Sequence, residues 1–145
     1  MTGVDDRTFE VGQTYTKSLV DDLKRTQLVQ YAGASGDYNP LHSDEPHARE
    51  IGGYPGVFAH GMLTMAMTGT LVSDVFGIER VTCFGGRFKA QVWPGDTLIA
   101  TLEIVAAAED ADGTASIEAT VSTKNQDGVE VFAGRGRARL PPRES

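Results

Sequence analysis

One segment restricts the possible folds more than any other. From Ile51 to Ser73 the chain runs 23 residues without Lys, Arg, Asp or Glu. A bilayer span needs about 20 mostly apolar residues. This run instead opens on Gly52, Gly53, Pro55 and Gly56 and carries His60 and Gly61 midway. The pattern therefore predicts a turn-rich loop and then a helix over Met62 to Phe76, with no membrane involvement. Met62, Leu63, Met65, Ala66, Met67, Leu71, Val72 and Val75 leave that helix little polar face. A helix apolar nearly all round must be enclosed on most sides. The methionines are expected in the core, where they could also wall an adaptable acyl tunnel.

The rest of the chain has to supply the enclosure. Its second half alternates like sheet. Strands are expected over 81–92, 97–107 and 114–124, with a last strand through Ala138. Gly85-Gly86 reads as a bulge in the first of these. Asp112-Gly113 and Asp127-Gly128 read as hairpin turns. In the last strand Gly134, Gly136 and Ala138 share one face, and Arg135, Arg137 and Arg139 the other. The small residues would let the apolar helix lie close. The first half predicts a strand over 13–20, a helix over 25–34 with Leu28, Tyr31 and Ala32 on one face, and a short helix over 46–51. This segregation points to an α+β fold, a curved antiparallel sheet wrapped around one central apolar helix. At 145 residues the chain is one domain, expected over 10–140, between a flexible N-terminus (1–9) and a tail (141–145).

Charge excludes some functions. Thirteen basic residues against 20 acidic ones give a net charge of −7, which argues against a nucleic-acid binder. Cys83 is the single cysteine, so no internal disulfide or multi-thiolate metal site is expected. It sits among apolar neighbours and reads as a buried structural thiol. The acidic start MTGVDDRTFE has no apolar core of a secretory signal, so a cytoplasmic location is expected.

The chemistry concentrates between Tyr31 and Met62. Asp37 and His42 flank the turn at Asn39-Pro40, so both side chains could face one cleft. Carboxylate plus imidazole suits holding a water and moving protons near pH 7. Asp37 and Asn39 could equally be turn caps, bonded to their own backbone. Further on, Ala59-His60-Gly61-Met62 enters the apolar helix. Backbone N–H groups at a helix start are unsatisfied donors, and a glycine there lets a ligand oxygen approach, as in an oxyanion hole. Gly61 could also serve only tight packing.

The run YAGASGDYNPLHSDEPHA, followed by FAHGMLTMA and then FKAQVWPGD, closely resembles the (R)-specific enoyl-CoA hydratases and MaoC-like dehydratases. The resemblance covers roughly residues 10 to 140, with no departure from the motif. It implies the hot dog fold, an antiparallel sheet around a long central helix. It makes Asp37 and His42 the catalytic acid/base pair, has Asn39 orient the site, and puts His60, Gly61 and Met62 at the substrate. The implied reaction is reversible syn hydration of a trans-2-enoyl thioester to the (R)-3-hydroxyacyl thioester, a lyase reaction. No cofactor or metal is implied, since CoA or acyl carrier protein enters as part of the substrate. Single hot dog domains leave their tunnel half formed, so a homodimer or higher oligomer is implied.

Several weaker signals remain. Arg80, Arg87 and Lys89 lie in a window without carboxylates, as do Arg135, Arg137, Arg139 and Arg143. Either window could receive CoA phosphates or an acidic carrier protein, with Arg87 and Lys89 the named candidates, or could be a solvated strand face. His42, His47 and His60 lack the spacing of a zinc helix motif, and His47 is expected on an exposed helix. Ser35 is not a nucleophile elbow. Trp93 is expected to pack at a strand end. Two rival readings stay open: a catalytic or partner subunit of a heteromeric dehydratase, and a hot dog acyl-CoA thioesterase. Acyl length, carrier and metabolic direction are not legible.

Overall fold

A computed structural model describes residues 8–142. Five strands, β1 (Thr14–Val20), β2 (Val81–Phe88), β3 (Leu98–Glu109), β4 (Ala115–Lys124) and β5 (Glu130–Leu140), form one antiparallel sheet in the order β1-β3-β4-β5-β2. Two helices, α1 (Arg25–Ser35) and α2 (Gly61–Phe76), are joined by short helical turns at Pro40–His42 and His47–Ile51. This is the expected α+β hot dog architecture, with β1 and β2 at its edges.

Period-two patterning explains the sheet. Along β3, Leu98, Ala100, Leu102 and Ile104 are fully buried while the residues between them are exposed. The two hairpins turn where expected, with Gly113 at φ +83° and Gly128 at φ +75°. On the inner face Leu71, Val72, Val75 and Phe76 of α2 pack against Leu102, Ile104, Val121 and Phe132. A Cβ on Gly136 would stand 3.2 Å from Val72 Cγ1, so this glycine does let the helix lie close. A buried hydrogen bond, Thr68 Oγ1 to Thr123 Oγ1 at 2.6 Å, ties α2 to β4. A second cluster, Leu23, Leu28, Ala48, Val57, Ala59, Val92, Leu98 and Val131, lies under the loops between α1 and α2. It fixes the segments that carry the candidate site.

Several expectations are corrected. The strand expected over 81–92 ends at Phe88, opposite Phe132, and Val92 O instead accepts from Ala59 N. No bulge lies at Gly85-Gly86, and the irregularity falls between Val81 and Cys83. Gly86 is there because the Phe132 ring occupies the place of its Cβ, with Cζ at 2.5 Å. Cys83 is exposed, since β2 is an edge strand and the thiol is not on its packed face. His47 is half-buried rather than exposed. Phe9, placed in the flexible N-terminus, is 6% exposed and packs edge-on to Phe76 at 5.3 Å. Residues 1–7 and 143–145, Arg143 included, lie outside the described residues.

The enclosure of α2 is also incomplete within one chain. Met62 is 53% exposed, and Ala66 and Thr70, one and two turns on, are exposed as well. Among the described residues, no helix is long and apolar enough to cross a membrane.

Candidate functional site

The site begins where α1 stops. Gly36 takes the left-handed conformation (φ +74°), and its N–H donates to Ala32 O. The chain then leaves the helix, and two turn bonds set its path. Asp37 Oδ1 accepts from Asn39 N at 3.2 Å, and Asn39 Oδ1 accepts from Leu41 N at 3.0 Å. Both side chains thus do cap their own turn. Pro40 opens the next helical turn, which ends at His42. Asn39 is exposed, and its side-chain oxygen is engaged in the turn.

Two imidazoles meet here. His42 Nδ1 lies 2.6 Å from Phe58 O, and His60 Nε2 lies 3.0 Å from Asp37 O. A carbonyl cannot donate, so both of these nitrogens carry the hydrogen. The rings stack with centroids 3.9 Å apart. Phe58 packs edge-on to His42 and Tyr31 edge-on to His60. Among the described residues His42 Nε2 has no hydrogen-bond partner; the residue is half-buried, and one of its ring nitrogens lies within 4.8 Å of an Asp37 carboxylate oxygen. Burial holds the His42 pKa below its ordinary 6.5, with His60 adding to the drop while the Phe58 carbonyl and Asp37 oppose it. The ring is therefore neutral at pH 7, and Nε2 offers a lone pair.

His60, which the resemblance puts at the substrate, is a buried residue. It is 1% exposed and holds the Asp37 backbone, and its Nδ1 is buried without a hydrogen-bond partner among the described residues. One ligand atom each from Asp37, His42 and His60 lies within 4.8 Å of the others. Spacing in the sequence did not group these residues, because the contacts cross from one loop to another.

At the start of α2, Leu63 N and Thr64 N turn back to His60 O, while Gly61 N and Met62 N have no acceptor among the described residues. These are the donors expected of an oxyanion hole. The missing side chain of Gly61 serves packing, since a Cβ there would stand 3.0 Å from the Phe88 ring. Its N–H remains available. A groove of about 370 Å³ runs from Tyr31 and Met62, between α2 and β2, to Phe84. Met65 lines it, whereas Met67 packs in the second core cluster.

Sequence reasoning missed Glu45. It pairs with Arg25 of α1 and with Arg49 at 3.3 Å, and Arg49 Nε donates to Pro55 O. One Glu45 oxygen also fills the space beside Gly56, 2.9 Å from where a Cβ would be. This clamp ties the loops on both sides of His42. Arg25, and Arg49 four residues after Glu45, were the available signal.

The basic windows fare differently. Arg87 and Lys89 are exposed, and their side chains make no ion pair or hydrogen bond among the described residues. Phe88 points in at Gly61, so Arg87 leaves on the opposite face of β2. Arg137 and Arg139 are paired, with Glu118 at 2.9 Å and Asp110 at 3.3 Å.

The family model described as MaoC like domain matches residues 6–127. The chain is 30% identical over 127 residues to the mitochondrial 3-hydroxyacyl-[acyl-carrier-protein] dehydratase of Arabidopsis thaliana, covering 83% of this chain and 76% of that one. It is 40% identical over 67 residues to 3-hydroxyacyl-thioester dehydratase Y of Mycobacterium tuberculosis, covering 44% of this chain and 23% of that one. The unliganded R-hydratase PhaJ1 from Pseudomonas aeruginosa superimposes with a TM-score of 0.73 at 28% identity, covering 94% and 84% of the two chains. The (R)-hydratase from A. caviae gives 0.77 at 25% identity, covering 94% and 100%. Among curated relatives, the chain spans only 6% of the fatty acid synthase beta subunit aflB of Emericella nidulans.

Proposed function

The chain belongs to the MaoC-like dehydratase family, and on that premise we propose that it is a hydro-lyase acting on acyl thioesters, interconverting trans-2-enoyl and (R)-3-hydroxyacyl forms. One observation carries the reading: a ring nitrogen of His42 and a carboxylate oxygen of Asp37 lie within 4.8 Å of each other, and the His42 ring stacks on His60, next in the chain to Gly61, whose N–H is unpaired among the described residues.

In the hydration direction a water sits between Asp37 and His42 Nε2. His42 takes a proton from it as its oxygen adds to C3. The Asp37/His42 pair returns a proton to C2 on the same face, so no net proton is consumed. Enolate charge on the thioester oxygen meets Gly61 N–H. Donors of this kind are worth about 2.7–4 kcal/mol. The acyl chain runs along the groove past Met62 and Met65. The tilted aromatic wall and the clamp at Glu45 keep the pair in place. Arg87 and Lys89 are proposed contacts for the carrier's phosphates, with Lys89→Glu raising KM for a CoA substrate if they are. (R)-selectivity rests on the likeness to the two R-hydratases.

A second copy completes the groove. The Met62–Ala66–Thr70 face and the outer edge of β2 are open, and an unpaired edge strand is an aggregation liability. The proposal is a homodimer, which fails if sedimentation shows only monomer at micromolar concentration. The small share of some relatives that the chain covers favours a second reading, a subunit that needs a different hot dog partner. A thioesterase would release free thiol instead of consuming the enoyl group.

The deciding experiment mixes the protein with crotonyl-CoA and follows loss of the enoyl absorbance, with Asp37→Asn alongside. Loss in the wild type and not in the variant is the expected result. Equal loss in both overturns the assigned chemistry.

A further inference from the structure

We propose that Asp96 is a positioning residue for His42: its side chain holds the turn at 93–96 where that turn sets the Phe58 carbonyl against the His42 ring. The consequence for turnover rests on the hydro-lyase reading. The hold on the ring stands without it.

Asp96 is 6% exposed. A carboxylate this buried is rare unless its oxygens are well satisfied. Each oxygen takes its own donor. Oδ2 accepts from Trp93 N and Oδ1 from Gln126 Nε2, both at 2.9 Å. Gln126 Oε1 in turn accepts from Thr97 N at 3.0 Å. The main chain closes the same turn, with Asp96 N donating to Trp93 O at 3.0 Å and Gly95 at φ +95°. The carboxylate thus ties the turn to the β4–β5 hairpin, where Gln126 is an exposed residue. Leu23 N donates to Asp96 O at 2.9 Å, which anchors the turn beside the entry to α1 as well.

The turn reaches His42 through a single peptide unit. Val92 O, just ahead of Trp93, accepts from Ala59 N at 2.8 Å. Phe58 O accepts from His42 Nδ1 at 2.6 Å. The carbonyl of Phe58 and the N–H of Ala59 belong to the same planar trans peptide and point in opposite directions. This peptide is therefore strung between Val92 and His42, and a displaced Val92 O moves the acceptor of the ring. The other main-chain support of Phe58, from its N–H to Leu41 O, is long at 3.3 Å. The Phe58 ring follows the same path, 5.7 Å from Trp93 and 5.1 Å from His42 between centroids. The Nδ1 bond is what keeps the hydrogen off Nε2. If the Phe58 carbonyl shifts, the neutral ring can carry its hydrogen on Nε2 and loses the lone pair that takes a proton from water.

The test follows the three imidazoles of the ¹⁵N-labelled full chain by long-range ¹⁵N–¹H spectra, which report tautomer and titration, with His42 assigned by its loss in His42→Gln. Wild-type His42 should be the Nδ1–H tautomer. Asp96→Asn keeps the size but turns an amide nitrogen toward one of its two donors. It should give a mixture of tautomers. Its His42 midpoint should fall below that of wild type, because the Phe58 bond raises that pKa, while Asp37 and His60, the other titratable groups acting on the ring, are left in place. Turnover of crotonyl-CoA should drop by about tenfold or more with KM within about twofold. Gln126→Ala should shift the ring in the same direction, and its exposed position keeps the test open if Asp96→Asn does not fold. Thr123→Val, which breaks the buried bond to Thr68, should cost stability and leave the His42 tautomer alone. A folded Asp96→Asn chain with the wild-type tautomer and midpoint overturns the proposal. An equal change in Thr123→Val does so too, since general loosening would then suffice. A shifted ring with undiminished turnover overturns the catalytic consequence. A shifted ring in a protein whose wild type never hydrates enoyl thioesters would sink the hydro-lyase reading and leave the hold of Asp96 on His42 standing.

Discussion

His42 and His60 stack with their ring centroids 3.9 Å apart and their planes 29° from parallel. Each ring is held by a hydrogen bond to a backbone carbonyl on a different loop, Phe58 O for His42 and Asp37 O for His60. The pair therefore locks the Asp37 loop to the entry of α2, and it sets the state of His42 Nε2, which has no partner among the described residues.

That state has a pH signature. Burial is the largest cause holding the His42 pKa below 6.5, and the neighbouring His60 lowers it further. Neutral His42 is the form that can take a proton from water. Lowering its pKa extends the neutral form to more acidic pH. The acidic limb of kcat/KM for hydration should thus have its midpoint below 6.5. A limb at or above that value, measured in a pH–rate profile, would contradict the role given to His42.

Asp37→Asn should separate shape from chemistry. Asparagine keeps an Oδ1 that can accept from Asn39 N, the bond at 3.2 Å that forms the turn. It loses the carboxylate. Turnover is expected to drop by about 10²–10⁴, with the thermal midpoint unchanged. A large loss of thermal stability would mean that the carboxylate charge holds the loop.

Glu45→Gln probes the clamp. Desolvation pushes the Glu45 pKa up, but the Arg25 hydrogen bond and charge, with the Val57 backbone and Arg49, outweigh it and hold it below 4.5. A depressed carboxylate stabilises the fold above its unfolded pKa and loses that contribution as pH falls through the folded value. The variant should have a lower thermal midpoint than wild type near pH 7, and the gap should close on going below about pH 4.5. KM should rise with it, because Arg49 and the Pro55 loop flank His42. A gap independent of pH would show that the Glu45 charge is not what matters.

Much of this was legible in the sequence, for physical reasons that differ by residue. Asp37 and His42 were visible because one short loop carries both. The hairpins at Gly113 and Gly128 were visible because a positive φ demands a small residue within the loop itself. His60 was not, since its partner is the Asp37 carbonyl, 23 residues earlier, and a backbone acceptor leaves no trace in the sequence. The pairing within the Arg135–Arg139 window was not legible for the same reason. Arg137 meets Glu118 across the β4–β5 pair, and Arg139 meets Asp110 near the β3–β4 turn. A local scan for carboxylates cannot see either. Cys83 looked buried because its neighbours in sequence are apolar, yet strand position, not composition, decides which face an edge residue takes.

Gly85 and Gly86 give the sharpest contrast between a sequence reading and the structure. Read together they suggest a bulge, in which both glycines serve the backbone. In the fold only Gly86 is constrained. A Cβ there would stand 2.4 Å from Ala133 O and 2.5 Å from Phe132 Cζ, while at Gly85 nothing lies within 4 Å. The Phe132 ring sits over Gly86 between Phe84 and Phe88, with centroids 6.0 and 5.8 Å away. Gly86→Ala must push that ring or part β2 from β5, and overpacking of this kind costs about 1–3 kcal/mol. Gly85→Ala meets open space and should be neutral or gain up to about 0.5–1 kcal/mol from reduced chain entropy. Chemical denaturation of the two variants decides it. Equal losses would restore the bulge, whereas a loss at Gly86 alone would also loosen Phe88 over Gly61 and should raise KM without touching the Asp37–His42 pair.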